Sequence, residues 1–399
     1  MQRLVSLIGL VVMLLLAWAL SADRRRMNFR LILSGIVLQF ILAALILWTS
    51  PGRMIFSYVR IAVTQVVGFS DAGAEFVFGS DFKEHFFAFS VLPTIVFVSS
   101  LMAVLFYLGV LQKVVEFMAK VMLYIMDVSG SESLATAANV FVGMAEAPLV
   151  IQPYIRTMTR SELMALMTGG MATISGATLA AYAGLGADPG HLLTASIISA
   201  PAALVIAKII LPETEKSLTK GIIKVEIPKQ DVNILDAACR GASDGTKLAI
   251  NIAAMLICFI AFVALFNWLL SLLPDVLDAP LTLERMLGWL CAPLAWVMGV
   301  EWKDADTVGM LLGKKTILNE FVAYIDLVKL QEGISQRSFT IATYALCGFA
   351  NFGSIAILIG GYAALVPARR KDFAKLGLRA MLGGSLAAFM TAAIAGILI

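Results

Sequence analysis

Apolar runs of about 20 residues recur along this chain, and that is the length a helix needs to cross a bilayer. Inside lipid, each segment must satisfy its own backbone N–H and C=O groups. A chain built of such runs therefore folds as an all-α polytopic membrane protein. Composition agrees: 60% of the 399 residues are hydrophobic and 14% are charged, against about 25% charged in a soluble domain. Eight full spans are expected, at roughly 4–21, 30–49, 90–111, 163–183, 191–211, 247–272, 340–365 and 376–398. Residues 52–84 mix Arg53, Arg60, Asp71, Glu75, Asp81, Lys83 and Glu84 into apolar sequence and read as amphipathic or interfacial structure. Residues 212–246 alternate in charge and form the longest polar connection.

Two apolar segments are left over, about 131–155 and 285–325, and each holds one carboxylate, Glu146 or Glu320. Gly, Pro or Asn interrupts the helical pattern beside each one. A charge at the bilayer centre costs roughly 2.5–3.5 kcal/mol even on the lenient insertion scale, so it faces protein or a water-filled cavity and marks a pathway. One such residue on an interrupted segment in each half is the pattern of a transporter binding site.

Other features are quieter. Cys239, Cys258, Cys291 and Cys347 are scattered without a CxxC pair and read as small buried hydrophobes. His85 and His191 have no partner at metal-ligand spacing. The net charge of +3 gives no ground for a nucleic-acid partner. The N-terminal run could pass for a secretory signal, but Asp23-Arg24-Arg25-Arg26 and a second apolar run follow at once. An ordinary first hairpin with a basic turn is the better reading.

Lys and Arg set the orientation. Arg24, Arg25, Arg26 and Arg30 place the first turn in the cytoplasm. If the two leftover segments re-enter without crossing, 156–162, 212–246 and 366–375 also fall inside. These carry Arg156 and Arg160; Lys216, Lys220, Lys224, Lys229 and Arg240; and Arg369, Arg370, Lys371 and Lys375. The outer loops near 184–190 and 273–284 have no Lys or Arg. Both termini are then periplasmic. Hairpin plus broken helix occurs twice in opposite orientation, which is an inverted repeat. The organisation expected is a transmembrane hairpin at 1–50, interfacial helices with a scaffold span at 51–130, and the first re-entrant hairpin with its spans at 131–211. A polar connection with a scaffold span follows at 212–272, then the second hairpin with a broken span at 273–366 and a last span at 367–399.

A transported solute needs a few placed polar groups in an otherwise apolar pocket. Glu320 accepts hydrogen bonds from hydroxyl groups, and Asn319 beside it offers donors and acceptors. Asn351 and Ser354 share a helix face. That set suits a polyhydroxyl group such as a sugar. Around Glu146 the polar groups are few; Asn139, Thr173 and Ser175 offer oxygens that suit a small hard cation. Gly143 and Pro148 flank the tip, as a tight turn between half-helices needs. Phe349 and Phe352 are candidate substrate stackers, although aromatics on such a helix more often pack.

Several stretches together resemble the concentrative nucleoside transporter family in its prokaryotic, eight-span form. They are GxxEAPLVIQPY at 143–154, ATISG…LAAY at 172–182, HLLTASIISAPAAL at 191–204, PETE at 212–215, NEFVAY at 319–324 and ALCGFANFGSI at 345–355. The resemblance covers essentially the whole chain. It implies a homotrimer in the bacterial inner membrane, moving its substrate by an elevator-type transport domain. By motif, Glu320, Asn351 and Ser354 match ribose-binding positions, with Phe349 beside them. Asn139, the Val142 carbonyl, Thr173 and the Ile174 carbonyl match a sodium site, with proton coupling as the alternative. Glu146 matches a nucleobase-facing carboxylate and Thr178 a base neighbour. One departure stands out: where the family reads Gly-Gln-Thr-Glu or Gly-Gln-Ser-Glu, this chain has Gly143-Met144-Ala145-Glu146. Two polar contacts to the base are lost. The expectation is a sodium-coupled symporter for a nucleoside or a ribose-bearing relative such as a modified nucleoside or sugar conjugate. No organic cofactor is implied. A channel is disfavoured because opposed hairpins imply occlusion between gates. An intramembrane enzyme is disfavoured because no nucleophile–base pair or metal-ligand set stands beside the carboxylates.

Overall fold

The computed structural model describes residues 2–144, 146–221, 231–276 and 279–399. Ala145 of the hairpin tip, and Lys224 and Lys229 of the basic connection, lie outside the described residues.

The chain is helical throughout. Helices α1 (Gln2–Ala19) and α2 (Phe29–Trp48) form the first hairpin, and Asn28 caps α2 by accepting from the Leu31 N–H at 3.1 Å. Thr49 then starts α3 (Ser50–Phe78), capping it through the Gly52 N–H at 3.0 Å. This is the segment read as interfacial. It is one continuous helix of 29 residues, long enough to cross a bilayer, with only 11% of its apolar window buried. Helix α4 (Leu92–Tyr107) follows, and then α5 (Val110–Met126), an amphipathic helix that the apolar runs did not reveal. One of its faces buries Val115, Ala119 and Met122, while Phe117 and Tyr124 on the other are exposed.

The inner part of the molecule is built from two matching sets. In the first, α6 (Gly130–Asn139), α7 (Ala147–Val150) and α8 (Gln152–Ile155) form a hairpin. A span broken into α9 (Arg160–Ala172) and α10 (Gly176–Leu185) follows, and then α11 (Pro189–Ile210). Helix α12 (Ile234–Leu270) leads to α13 (Leu283–Val297) and the second set. There α14 (Trp302–Ile317) and α15 (Glu320–Lys329) form the hairpin. The broken span is α16 (Gln336–Leu346) with α17 (Phe352–Leu365), and α18 (Arg370–Leu398) closes the chain. The second hairpin thus begins at Trp302 rather than near 285. The sequence before it forms a separate helix, α13, which packs along α14. The polar connection is also shorter than expected, because α12 starts at Ile234 on the cap supplied by Asn233.

Burial separates the two layers. The spans Arg160–Leu185, Pro189–Ile210 and Pro367–Leu398 are about nine-tenths buried, whereas Ile234–Leu270 is 11% buried. The outer helices α3, α4 and α12 therefore lie around a packed core, with most of their apolar surface exposed in the single chain. Helix α12 meets α4 backbone to backbone. A Cβ on Gly241 would stand 2.7 Å from the Ser100 Cα, and one on Gly245 2.8 Å from the Val96 Cα. In the core the two broken spans cross at their breaks. Gly348, at φ +155°, lies so close that a Cβ there would be 2.9 Å from the Met171 carbonyl oxygen.

Candidate functional site

The hairpin tips and the breaks in the two spans leave half-helix ends inside the fold, and side chains cap them. Asn319 caps α15 by accepting from the Val322 N–H at 3.0 Å, which makes Glu320 the first residue of that helix. A carboxylate there is favoured by the positive end of the helix dipole. Asn351 caps α17 in the same way, its Oδ1 accepting from the Ser354 N–H at 2.8 Å. With its oxygen so engaged, Asn351 turns its amide nitrogen to Glu320 and donates to Oε2 at 2.9 Å. The other oxygen, Oε1, accepts from the Tyr182 hydroxyl at 2.8 Å. All four residues read as a sugar site, Glu320, Asn319, Asn351 and Ser354, are brought together and buried.

Tyr182 is the member that reading the sequence missed. It sits on α10, from the other half of the chain, and is stacked on Tyr324 at 4.4 Å between ring centroids. Tyr324 is fixed in turn by donating to the Thr343 carbonyl at 2.7 Å, and Phe321 meets Tyr182 edge to face. A signal existed: Ser175, Thr178 and Tyr182 fall at i, i+3 and i+7, one polar stripe on an apolar half-helix. A carboxylate has about four lone-pair sites. Two donors hold Glu320 in place and leave acceptor capacity for a ligand's hydroxyl groups.

The first half offers oxygens. Asn139 ends α6; its amide donates to the Ala135 carbonyl at 3.0 Å, while its Oδ1 is buried without a hydrogen-bond partner among the described residues. The Thr173 hydroxyl, at the break between α9 and α10, lies 3.1 Å from the Asn139 carbonyl and 3.0 Å from that of Gly169. Val142 lies in the turn after α6, and Ile174 is buried within the break. An unpaired buried acceptor is costly, and here it belongs to a set of neutral oxygens. Such a set fits a hard monovalent cation.

The remaining candidates are dispersed. Thr178 is buried and bonded to Ser175, whose side chain caps α10. Phe349 is half-buried against the core, and Phe352 is exposed. Met144 is buried beside Gly170, where a Cβ would approach within 2.8 Å of the Met144 Cβ. Gly143 turns the tip at φ +83°, and a Cβ there would strike Ser175. Glu146 is exposed at the tip, within electrostatic reach of Arg240 and Asp244 on α12.

Two hairpins, each set against a broken span in an inverted repeat, with capped half-helices meeting at a buried carboxylate, define a secondary membrane transporter. Three family models cover nearly the whole chain. They are the Na+ dependent nucleoside transporter N-terminus at residues 8–81, a nucleoside recognition domain at 88–189, and the Na+ dependent nucleoside transporter C-terminus at 191–396. The chain belongs to the Na+-dependent nucleoside transporter family, whose members are transporters and not enzymes. Solute carrier family 28 member 3 of Rattus norvegicus is 44% identical over all of this chain and 59% of its own length. The chain thus spans about three-fifths of such mammalian relatives. An uncharacterized transporter of Bacillus subtilis, YutK, is 40% identical with both chains fully covered. The fold matches a solved structure of CNTnw in an inward-facing substrate-bound state at a TM-score of 0.93 and 41% identity, covering 100% of this chain and 98% of that one. It matches an outward-facing CNTnw variant equally well, at 0.93.

Proposed function

We propose that this protein is a sodium-coupled nucleoside symporter working by elevator-type alternating access. One observation carries the proposal: Glu320 is held from both sides, by Tyr182 and Asn351, in a buried site that keeps acceptor capacity. Vicinal hydroxyls of a ribose match that capacity, with Asn319 and Ser354 as neighbours. Sodium is assigned to Asn139 Oδ1, the Thr173 hydroxyl and the Val142 and Ile174 carbonyls. The unpartnered Asn139 oxygen supports this assignment.

Coupling follows from the crossing of the two broken spans. Ion binding ties Asn139 of the first hairpin to the break at Thr173 and so orders α10. Helix α10 carries Tyr182, which orients Glu320. The substrate therefore meets a formed site only after the ion has bound. Phe349 is assigned to the ribose side, and Glu146, Met144, Ala145 and Thr178 to the base side. Met144 and Ala145 remove polar base contacts, so base discrimination is relaxed or directed to a modified base. The assembly is a homotrimer in the bacterial inner membrane; both termini are periplasmic, a topology supported by the distribution of basic loops.

Glu320→Gln tests the substrate assignment. It keeps the shape and weakens charge-assisted hydrogen bonds worth roughly 1.5–3 kcal/mol each. Nucleoside affinity should fall about tenfold or more. Unchanged affinity in folded protein makes Glu320 a structural residue.

A further inference from the structure

Lys315 has no role in the function described above, yet it is the most deeply buried charged side chain of the second hairpin, at 0% exposure. It lies in the last turn of α14. Its neighbour Lys314 pairs with Asp326 at 2.8 Å and Glu284 at 3.9 Å. Lys315 pairs with no carboxylate among the described residues. Its ammonium donates to the Ala345 carbonyl at 2.8 Å and stands 5.7 Å from the centre of the Phe389 ring. Ala345 is in the last turn of α16, immediately before the break at Cys347. The final carbonyls of a half-helix carry its negative dipole end, which attracts a cation. Lys315 precedes Glu320 by five residues in the same hairpin.

The inverted repeat gives this arrangement a meaning. In the first half, α6 packs on α9, and Asn139 at the end of α6 meets the Thr173 hydroxyl through its backbone carbonyl, with its side-chain Oδ1 unsatisfied beside Gly170. In the second half, α14 packs on α16, and Lys315 at the end of α14 faces the end of α16 with an ammonium. The same junction of hairpin arm and broken span presents an acceptor in one half and a cation in the other.

We infer that Lys315 is a resident cation. It takes in the second half of the repeat the place that a dissociable sodium ion takes in the first, in the same hairpin as Glu320. The second half then needs no ion of its own, and one sodium ion accompanies each substrate. This rests on the sodium assignment of the first half.

The test uses the purified full chain and its Lys315→Met, Lys315→Arg and Lys315→Ala variants. Binding of uridine and adenosine is followed across a sodium titration, with thermal unfolding as the folding control. Wild type should show a single-ion dependence. Lys315→Met, close in volume but uncharged, should lose at least about tenfold in nucleoside affinity and show a steeper, two-ion sodium dependence. Lys315→Arg should retain single-ion behaviour. Methylammonium or ethylammonium, added to Lys315→Ala, should restore affinity. Wild-type affinity with an unchanged sodium dependence in Lys315→Met overturns the inference. Should Lys315→Met fail to fold, amine rescue of Lys315→Ala decides: recovery supports the resident cation, and absence of recovery overturns it. If wild type binds neither nucleoside in sodium, the transport assignment itself fails.

Discussion

The Tyr182 hydroxyl donates to Glu320 Oε1 at 2.8 Å, joining a half-helix of the first repeat to the carboxylate of the second. With the Asn351 amide on Oε2 at 2.9 Å, it fixes both carboxylate oxygens from within the protein. A substrate hydroxyl therefore meets an oriented acceptor and does not have to order one.

Removing that bond should show its value. Tyr182→Phe keeps the ring stacked on Tyr324 and deletes only the donor. Nucleoside affinity should drop by about tenfold or more, from the loss of one hydrogen bond to a charged group. Calorimetric binding measures the drop. Wild-type affinity in the folded variant would show that Asn351 alone positions the carboxylate.

The hairpin tip makes a different prediction. A pocket that hydrogen-bonds a base rejects analogues lacking the matching group, because its own polar atoms are left unpaired. Met144 cannot impose that penalty through its soft, adaptable side chain, and Ala145 has no side-chain polar group. The double change Met144→Gln with Ala145→Thr should sharpen preference among nucleosides. Competition with a panel of nucleosides, and with sugars lacking a base, reads the change. Tight selectivity in the unaltered protein, unmoved by the double change, would place base recognition elsewhere.

Much of this was legible in the sequence, and the gaps have physical causes. The spans, both hairpins and their carboxylates follow from apolar length and from charge at membrane depth. Glu320, Asn351 and Ser354 could be grouped because each stands beside a helix break. Tyr182 was not grouped with them, since the contact spans 138 residues and depends on how the two broken spans cross. Lys315 was passed over because a lysine beside Lys314 reads as surface charge. Helix α5 was missed because Lys113, Glu116 and Lys120 interrupt its apolar run. The start of the second hairpin was misplaced because α13 is apolar enough to look like its first arm.

A pH effect is expected at the foot of α12. Arg240 grips Asp231 with two hydrogen bonds, at 2.6 and 2.9 Å. That bonding holds the Asp231 carboxyl below the usual carboxylate range. A lowered carboxyl pKa stabilises the fold above the unfolded value near about 3.9, and the gain is lost as pH falls through the folded value. Asp231→Asn should therefore cost of order 1 kcal/mol near neutral pH, discounted for the half-exposed arginine. The difference from wild type should vanish in strong acid. Melting curves of both proteins in detergent from neutral to acid pH measure this; a constant difference would contradict it.

Orientation can be checked at the last basic loop. Arg369 is a poor probe, because its guanidinium holds the carbonyls of Arg156 and Met158 and pairs with Asp372. Lys371 is exposed. A single cysteine at that position, with the four native cysteines replaced, should resist an impermeant thiol reagent applied outside intact spheroplasts. Labelling from outside would invert the topology.

The most direct measurement is nucleoside uptake into proteoliposomes with an inward sodium gradient, for wild type and Asn139→Leu. The variant removes the buried Oδ1 that has no hydrogen-bond partner among the described residues. Wild type should accumulate nucleoside against its gradient in sodium and not in choline, and Asn139→Leu should lose that sodium stimulation while remaining folded. Equal uptake in choline medium driven by a proton gradient, or sodium stimulation that survives in Asn139→Leu, would contradict the account.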